Sequence, residues 1–164
     1  MLRFLFPRLT TDRARGAELF RWVTERARAP HWYIEGEVAD TIDGRFAMLT
    51  TIAALALVRL EREREAEASV ALTERFVEAM EAEHREMGMG DPKLGRTVRK
   101  LVGALSRRVE LWRNGTWDEA ACESVYGSNE PSRAALAHVS DSLKGLWREL
   151  DGSPADDIAQ GRIG

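Results

Sequence analysis

The sequence has little of what builds disulfide-linked, membrane-spanning or β-sheet proteins. Its one cysteine, Cys122, excludes an intrachain disulfide and favours a reducing compartment, and we interpret it as a small packed side chain. Apolar residues run longest over 46–58, which is shorter than the roughly 20 residues of a membrane-spanning helix. Sustained alternation of apolar and polar residues is almost absent, so β-strands are not expected.

No secretory signal peptide is evident, because Pro7 interrupts the apolar residues at 1–9 and no long apolar segment follows. We therefore expect a cytoplasmic protein, and peripheral attachment to the cytoplasmic face of the inner membrane stays open. Residues 1–9 also contain Arg3 and Arg8, which suits either contact with a membrane interface or packing as a strap on the protein. The sequence leaves both roles open.

The composition is typical of a helical protein. The 164 residues fit one domain, 44% of them are hydrophobic and 31% are charged, and Ala, Leu, Glu and Arg dominate. The net charge of -3 argues against a dedicated nucleic-acid binder and against DNA as a partner. We predict an all-α fold, a single-domain helical bundle of about five to six helices with mostly antiparallel neighbours.

Cap and turn residues set the predicted boundaries of these helices. The predicted helices cover 11–28, 40–64, 65–87, 91–113, 117–126 and 131–150, with a short aromatic segment at 31–38. The candidate caps are Thr10 or Thr11 for the first helix, Asp40, Thr41 or Asp43 for the second, and Asp91 for the helix that begins at Pro92. The second helix is apolar on most sides and is predicted to be the most buried. Residues 1–150 would form the domain, and 151–164 a mobile tail rich in Gly, Ser, Pro and Asp.

Glu81 and His84 form the one Glu-x-x-His motif of the sequence, a spacing that is typical of metal sites in helical bundles. In di-iron bundle proteins such a motif occurs twice, with two further inward glutamates. The second half is missing here, so we interpret His84 as a histidine on an apolar helix face with a hydrogen-bond partner. Gly88 and Gly90 are interpreted as a tight corner that needs positive φ rather than as a nucleotide cradle. We expect no catalytic residue, no metal and no cofactor.

The predicted helix at 91–113 is strongly two-sided. Its polar side carries Lys93, Arg96, Lys100 and Arg107, with Arg99 and Arg108 flanking them. Such a face suits an anionic partner, either a membrane surface or the ribosome. The alternative is a solvated face balanced by glutamates on neighbouring helices. Both interpretations are open at this point.

Two stretches together resemble the ubiquinol–cytochrome c chaperone family of alphaproteobacteria and mitochondria. The first contains Trp32-Tyr33, Val38, Asp-Thr-Ile-Asp-Gly-Arg-Phe at 40–46, Met48-Leu49 and Arg59-Leu60. The second is Arg-Glu-Met-Gly-Met-Gly-Asp at 85–91, followed by Gly95-Arg96 and Lys100. The resemblance covers about residues 10–113, while 117–150 carries no recognised signature. The chain departs from the family pattern at His84 and Pro92.

The resemblance implies a helical assembly chaperone and no enzyme. It would bind newly made cytochrome b and assist the biogenesis of ubiquinol–cytochrome c reductase. We expect the two motifs to meet at one end of the bundle as a client surface, with Arg45 paired to Asp40 or Glu86. The candidate client-binding residues are Tyr33, Asp40, Asp43, Arg45, Phe46, Arg85, Glu86, Met87, Met89 and Asp91.

Two other functions remain as alternatives. One is a metal-dependent helical-bundle enzyme, which the Glu81–His84 motif would serve. The other is an RNA- or ribosome-associated regulator, which would use the basic residues Lys93, Arg96, Arg99, Lys100 and Arg107.

Overall fold

A computed structural model describes residues 7–164 of the chain and the side chains from Gly16 onward. The described residues form seven α-helices and one short 3-10 turn, and none of them forms a strand. The helices are α1 (Pro7–Ala27), α2 (Ile42–Arg62), α3 (Ala66–Glu86), α4 (Asp91–Asn114), α5 (Trp117–Tyr126), α6 (Arg133–Gly152) and α7 (Ala155–Ala159), with the 3-10 turn at Pro30–Trp32. The all-α prediction is confirmed, with more helices than the five to six expected. In the part of the chain described, no helix is both long and apolar enough to cross a membrane.

Helix α2 is the centre of the molecule, as its sequence predicted. Every residue from 50 to 60 is buried, and α2 packs against α1, α3, α4, α5, α6 and α7. The buried hydroxyls of Thr50 and Thr51 donate to the carbonyl oxygens of Phe46 and Ala47, both at 2.7 Å, so they cost no unsatisfied polar group. Thr41 caps the helix by accepting a hydrogen bond from the backbone of Gly44 at 3.2 Å.

The corner between α3 and α4 differs from the prediction in one detail. Gly88 has φ +85°, as a tight corner requires, whereas Gly90 has φ -77° and is itself the cap of α4. The prediction that Asp91 caps α4 is therefore wrong, because extended Gly90 takes that place and Asp91 lies in the first turn. An acidic side chain in the first turn still favours the helix through its dipole.

Helix α1 begins earlier than predicted. Its described part runs from Pro7, so Thr10 and Thr11 lie within the helix and do not cap it. The two interpretations of residues 1–9 depend on residues 1–6 and on side chains that lie outside the described ones.

The segment predicted as a mobile tail instead contains α7. Ile158 on this helix is fully buried, and α7 packs against α1 and α2. The composition of 151–164 suggested a tail because Gly, Ser, Pro and Asp outnumber its apolar residues, yet buried Ile158 and partly buried Ile163 pack the segment on the core.

Helices α5 and α6 hold the loop that leads into α2. Tyr126 donates from its hydroxyl to the carbonyl oxygen of Gly36 at 2.5 Å. Glu37 accepts hydrogen bonds from the backbone nitrogen and the hydroxyl of Ser132, at 3.0 and 2.8 Å, just before α6. Residues 33–40 are thereby fixed from the far end of the sequence.

Candidate binding cleft and basic face

A cleft of about 670 Å³ opens at one end of the bundle. Its walls come from the last turn of α1, the loop at 30–42, the first two turns of α2 and the last turns of α3, with Leu101 of α4 at its side. The start of α2 and the end of α3 lie together because the two helices are antiparallel neighbours joined by a short link. We call this site the α2–α3 cleft.

The structure brings half of the sequence-predicted client residues into this cleft. Those that line it are Tyr33, Asp40, Asp43, Arg45 and Phe46. The others lie on the α3–α4 corner, directly after His84, and do not line it: Arg85, Glu86, Met87, Met89 and Asp91. On this corner Met87 is 54% exposed, and Arg85 approaches Asp91 at 3.9 Å between two exposed side chains.

An ion pair and a phenol give the cleft its polar groups. Arg45 donates from Nε to Oδ1 of Asp40 at 2.7 Å, which is one of the two pairings expected from the sequence. Both side chains are exposed, so the pair contributes little to stability and both groups can reach a ligand. Tyr33 donates to the carbonyl oxygen of Ala27 at 2.8 Å. Burial raises the pKa of Tyr33, which outweighs the lowering effect of Arg45, so its hydroxyl stays protonated.

The cleft also exposes two large apolar side chains that the sequence prediction missed. Ile34 is 71% exposed and Ile42 is 68% exposed, and both lie at its walls. Beneath them Phe46 and Leu49 are half-buried, and Phe46 packs on Phe76 with ring centroids 6.2 Å apart. Ile42 directly follows the cap Thr41 as the first residue of α2, and no sequence signal marks its side chain as exposed.

Helix α3 adds Glu83 and His84, which were not among the predicted client residues. His84 forms a hydrogen bond through Nδ1 with the carbonyl oxygen of Met80 at 2.8 Å, which confirms it as a histidine with a backbone partner. Among the side chains that the structure describes, from Gly16 onward, no three His, Cys, Asp or Glu come together to hold a metal ion.

The basic side of α4 is exposed as predicted. Its exposed members are Lys93, Arg96, Arg99, Lys100 and Arg107. Within the described side chains, none of these five has a carboxylate within 4.0 Å, so the glutamates of neighbouring helices do not neutralise them. Arg108 differs, because it donates to the carbonyl oxygen of Ser124 at 2.9 Å, and burial lowers its pKa. It belongs to the packing of α4 on α5 and not to the basic face.

The family comparison matches the chain to the model described as ubiquinol-cytochrome C chaperone, over residues 35–163. The chain belongs to the ubiquinol–cytochrome c chaperone family. The match begins in the loop at the cleft and ends beyond α7, so it extends past the region of 10–113 on which the resemblance rested. The matched range thereby includes α5 and α6, the helices that hold the cleft loop.

A solved structure has the same fold. The crystal structure of the Cbp3 homolog from Brucella abortus superposes with a TM-score of 0.76 at 21% sequence identity, over 100% of this chain and 96% of that one. No curated protein matches the chain significantly. The family is thus shown by its model, and the Brucella structure supports the fold.

Proposed function

We propose that this chaperone-family protein binds newly made cytochrome b through the α2–α3 cleft and thereby assists the biogenesis of ubiquinol–cytochrome c reductase. The observation that carries the proposal is the exposure of Ile34 and Ile42 beside the Arg45–Asp40 pair at the cleft. Apolar side chains so exposed at a cleft are typical of an interaction site. A membrane protein without its partners exposes apolar helices, which such side chains can cover.

The polar groups of the cleft would orient the bound client segment. Arg45 and Asp40 sit at an exposed position, so a client segment can displace their pairing at little cost. Met87, exposed on the neighbouring corner, and Met89, half-buried beside it, would extend the apolar contact with adaptable side chains. In this proposal the protein is a binding protein and carries out no reaction.

The test is co-purification of cytochrome b from membranes with the tagged full-length protein. We expect Ile42→Asp, Arg45→Ala and Met89→Asp each to reduce the captured cytochrome b at least several-fold. Ala137→Asp is the matched control, since Ala137 is exposed on α6 and receives the same new charge. Wild-type capture by all three variants, two in the cleft and one on the α3–α4 corner, in protein whose circular dichroism shows a native fold, would refute the proposal.

The basic face of α4 favours a second, compatible role in peripheral binding. Its five exposed cations lack carboxylate partners within the described residues, and an anionic surface would supply them. We propose that this face contacts an anionic membrane surface or the ribosome while the cleft holds the client. Such contact would be electrostatic and therefore weakened by salt.

A further inference from the structure

A second apolar cavity, open to solvent, lies between α3 and α4. Its volume is about 1020 Å³ and it shares no lining residue with the α2–α3 cleft. Its floor is apolar and buried, formed by Leu57, Leu105 and Val109 at 7%, 3% and 8% exposure. We call it the α3–α4 groove.

The walls of the groove are two facing apolar stripes. On α3, Val70 and Val77 are two helical turns apart, a distance of about 10 Å. On α4, Val102 and Val109 have the same separation. Val70 is 57% exposed, and Val77 and Val102 are half-buried, so apolar surface faces solvent along the length of the groove. Its volume reaches the upper limit of small-molecule pockets, and its shape suits two turns of a helix laid along it.

The rim of the groove is acidic. Four carboxylates line it, those of Glu61, Glu74, Glu78 and Glu110, against the guanidinium groups of Arg75 and Arg113. Both arginines are already paired, Arg75 with Glu78 at 2.7 Å and Arg113 with Glu61 and Glu110 at 2.8 and 2.6 Å. Glu74 has no basic side chain within 4.0 Å among those the structure describes. The rim therefore keeps an excess of negative charge.

We propose that the α3–α4 groove docks an amphipathic helical segment of another polypeptide, with lysines or arginines flanking its apolar stripe. The apolar stripe would cover Val70 and the groove floor, while its basic flanks would meet Glu74 and the other rim carboxylates. A helix with acidic flanks would bring like charges together and is disfavoured. This surface is distinct from the α2–α3 cleft, and the inference does not rest on the proposed client.

The test uses the full-length protein and two labelled helical peptides with the same leucine stripe, one flanked by lysines and one by glutamates. Fluorescence anisotropy should show the Leu/Lys peptide binding about tenfold more tightly than the Leu/Glu peptide, the effect of two or three exposed charge pairs. Ile42→Asp in the cleft should leave both affinities unchanged, which separates this test from that of the proposed function.

Two variants and one control assign the binding to the groove. Val70→Asn should weaken both peptides several-fold, because it replaces an exposed apolar wall and leaves the core intact. Glu74→Lys should weaken the Leu/Lys peptide and strengthen the Leu/Glu peptide. Glu67→Lys makes the same charge change on α3 outside the groove and should alter neither peptide by more than a factor of about two.

Three outcomes would overturn the proposal. The first is the absence of measurable binding of the Leu/Lys peptide. The second is binding that Val70→Asn and Glu74→Lys leave unchanged, because the peptide then lies elsewhere. The third is a dimer of the wild-type protein in sedimentation that Val70→Asn dissociates, because the groove would then be occupied by a second copy of the chain.

Discussion

The hydroxyl of Tyr126 on α5 is hydrogen-bonded to the carbonyl oxygen of Gly36 across 90 positions of the sequence. Gly36 lies in the loop that carries Tyr33 and Ile34 to the α2–α3 cleft. A Cβ atom on Gly36 would lie 2.4 Å from the carbonyl oxygen of Trp32, so the close turn that presents this carbonyl requires glycine. The cleft loop therefore depends on a contact made by the C-terminal half of the chain.

Replacing Tyr126 by Phe should lower the free energy of unfolding by about 1–3 kcal/mol, because the buried carbonyl of Gly36 loses its donor. Urea denaturation measures the change. Burial raises the pKa of Tyr126 to about 12. In an ultraviolet titration of the folded protein the variant should therefore lose the phenol that ionises near that pH. If the phenol lost in the variant is instead one that ionises near the ordinary tyrosine pKa of 10.0, Tyr126 is not in this environment.

Gly44→Ala should abolish the start of α2. A Cβ there would lie 1.8 Å from the carbonyl oxygen of Ala39, a backbone atom that cannot move aside, so we expect a loss of about 3 kcal/mol or more in unfolding free energy. Gly95→Ala is the matched control, because nothing lies within 4 Å of its Cβ and it sits inside α4. The control should gain about 0.5–1 kcal/mol from helix propensity. Equal melting temperatures for the two variants would contradict the prediction.

Stability should fall in mild acid through the histidine pair. Nδ1 of His31 and Nε2 of His138 are 2.9 Å apart, so one ring donates and the other accepts. Burial, followed by the charge of His138, lowers the pKa of His31 below the ordinary histidine value of 6.5. The unfolded chain therefore binds a proton first, and stability is constant above about pH 6.5 and declines as the pH falls below it.

The histidine prediction is checked by urea midpoints at several pH values on either side of this limit. His31→Asn should flatten the decline. Glu35→Gln should extend it to lower pH, because the charge of Glu35 raises the pKa of His31 and its removal lowers that pKa further. A wild-type slope in His31→Asn would assign the acid sensitivity to other groups.

Two isoleucine-to-alanine variants should separate stability from binding. Ile158→Ala on α7 removes a fully buried side chain and should cost about 2–5 kcal/mol in unfolding free energy. Ile42→Ala removes one that is 68% exposed and should change stability by less than about 0.5 kcal/mol while reducing the capture of cytochrome b. Thermal melts measure the change in stability, and the co-purification assay measures the capture of cytochrome b. A stable Ile158→Ala protein would mean that α7 does not pack on the core.

Reversing the basic face should weaken peripheral binding. The triple change of Lys93, Arg96 and Lys100 to Glu should reduce co-sedimentation with anionic liposomes or with ribosomes several-fold at low salt. The control changes Arg21, Arg133 and Arg148 to Glu, which alters net charge equally on other exposed surfaces. Unchanged sedimentation of the α4 variant with both liposomes and ribosomes would contradict the proposal that this face binds an anionic surface.

The sequence predicted the helices well because their apolar periodicity is regular, although the caps expected for α1 and α4 were wrong. The predicted bounds of α5 agree with those in the structure, and Thr41 was among the expected caps of α2. The error at 151–164 arose because a segment with few apolar residues can be fixed by Ile158 and Ile163, and two apolar contacts leave no periodic pattern.

The cleft was predicted only in part, for a different reason. Tyr33, Arg45 and Phe46 belong to a motif that could be matched to a family, so they were found. Ile34 and Ile42 were not, because an apolar residue has the same sequence signature whether it faces the core or the solvent. The Tyr126–Gly36 hydrogen bond and the α3–α4 groove are each formed by residues distant in the sequence, and a local sequence pattern does not reveal such contacts.

The contact between Tyr126 and Gly36 also means that the cleft loop is completed late in the synthesis of the chain. Synthesis of the 90 positions between them takes on the order of 5–20 s at typical elongation rates. Until α5 and α6 leave the ribosome, the loop of the α2–α3 cleft has neither the phenol of Tyr126 nor the backbone of Ser132 to hold it. A chain released before its last helices would thus lack a formed cleft, and competence to bind would be acquired late in translation.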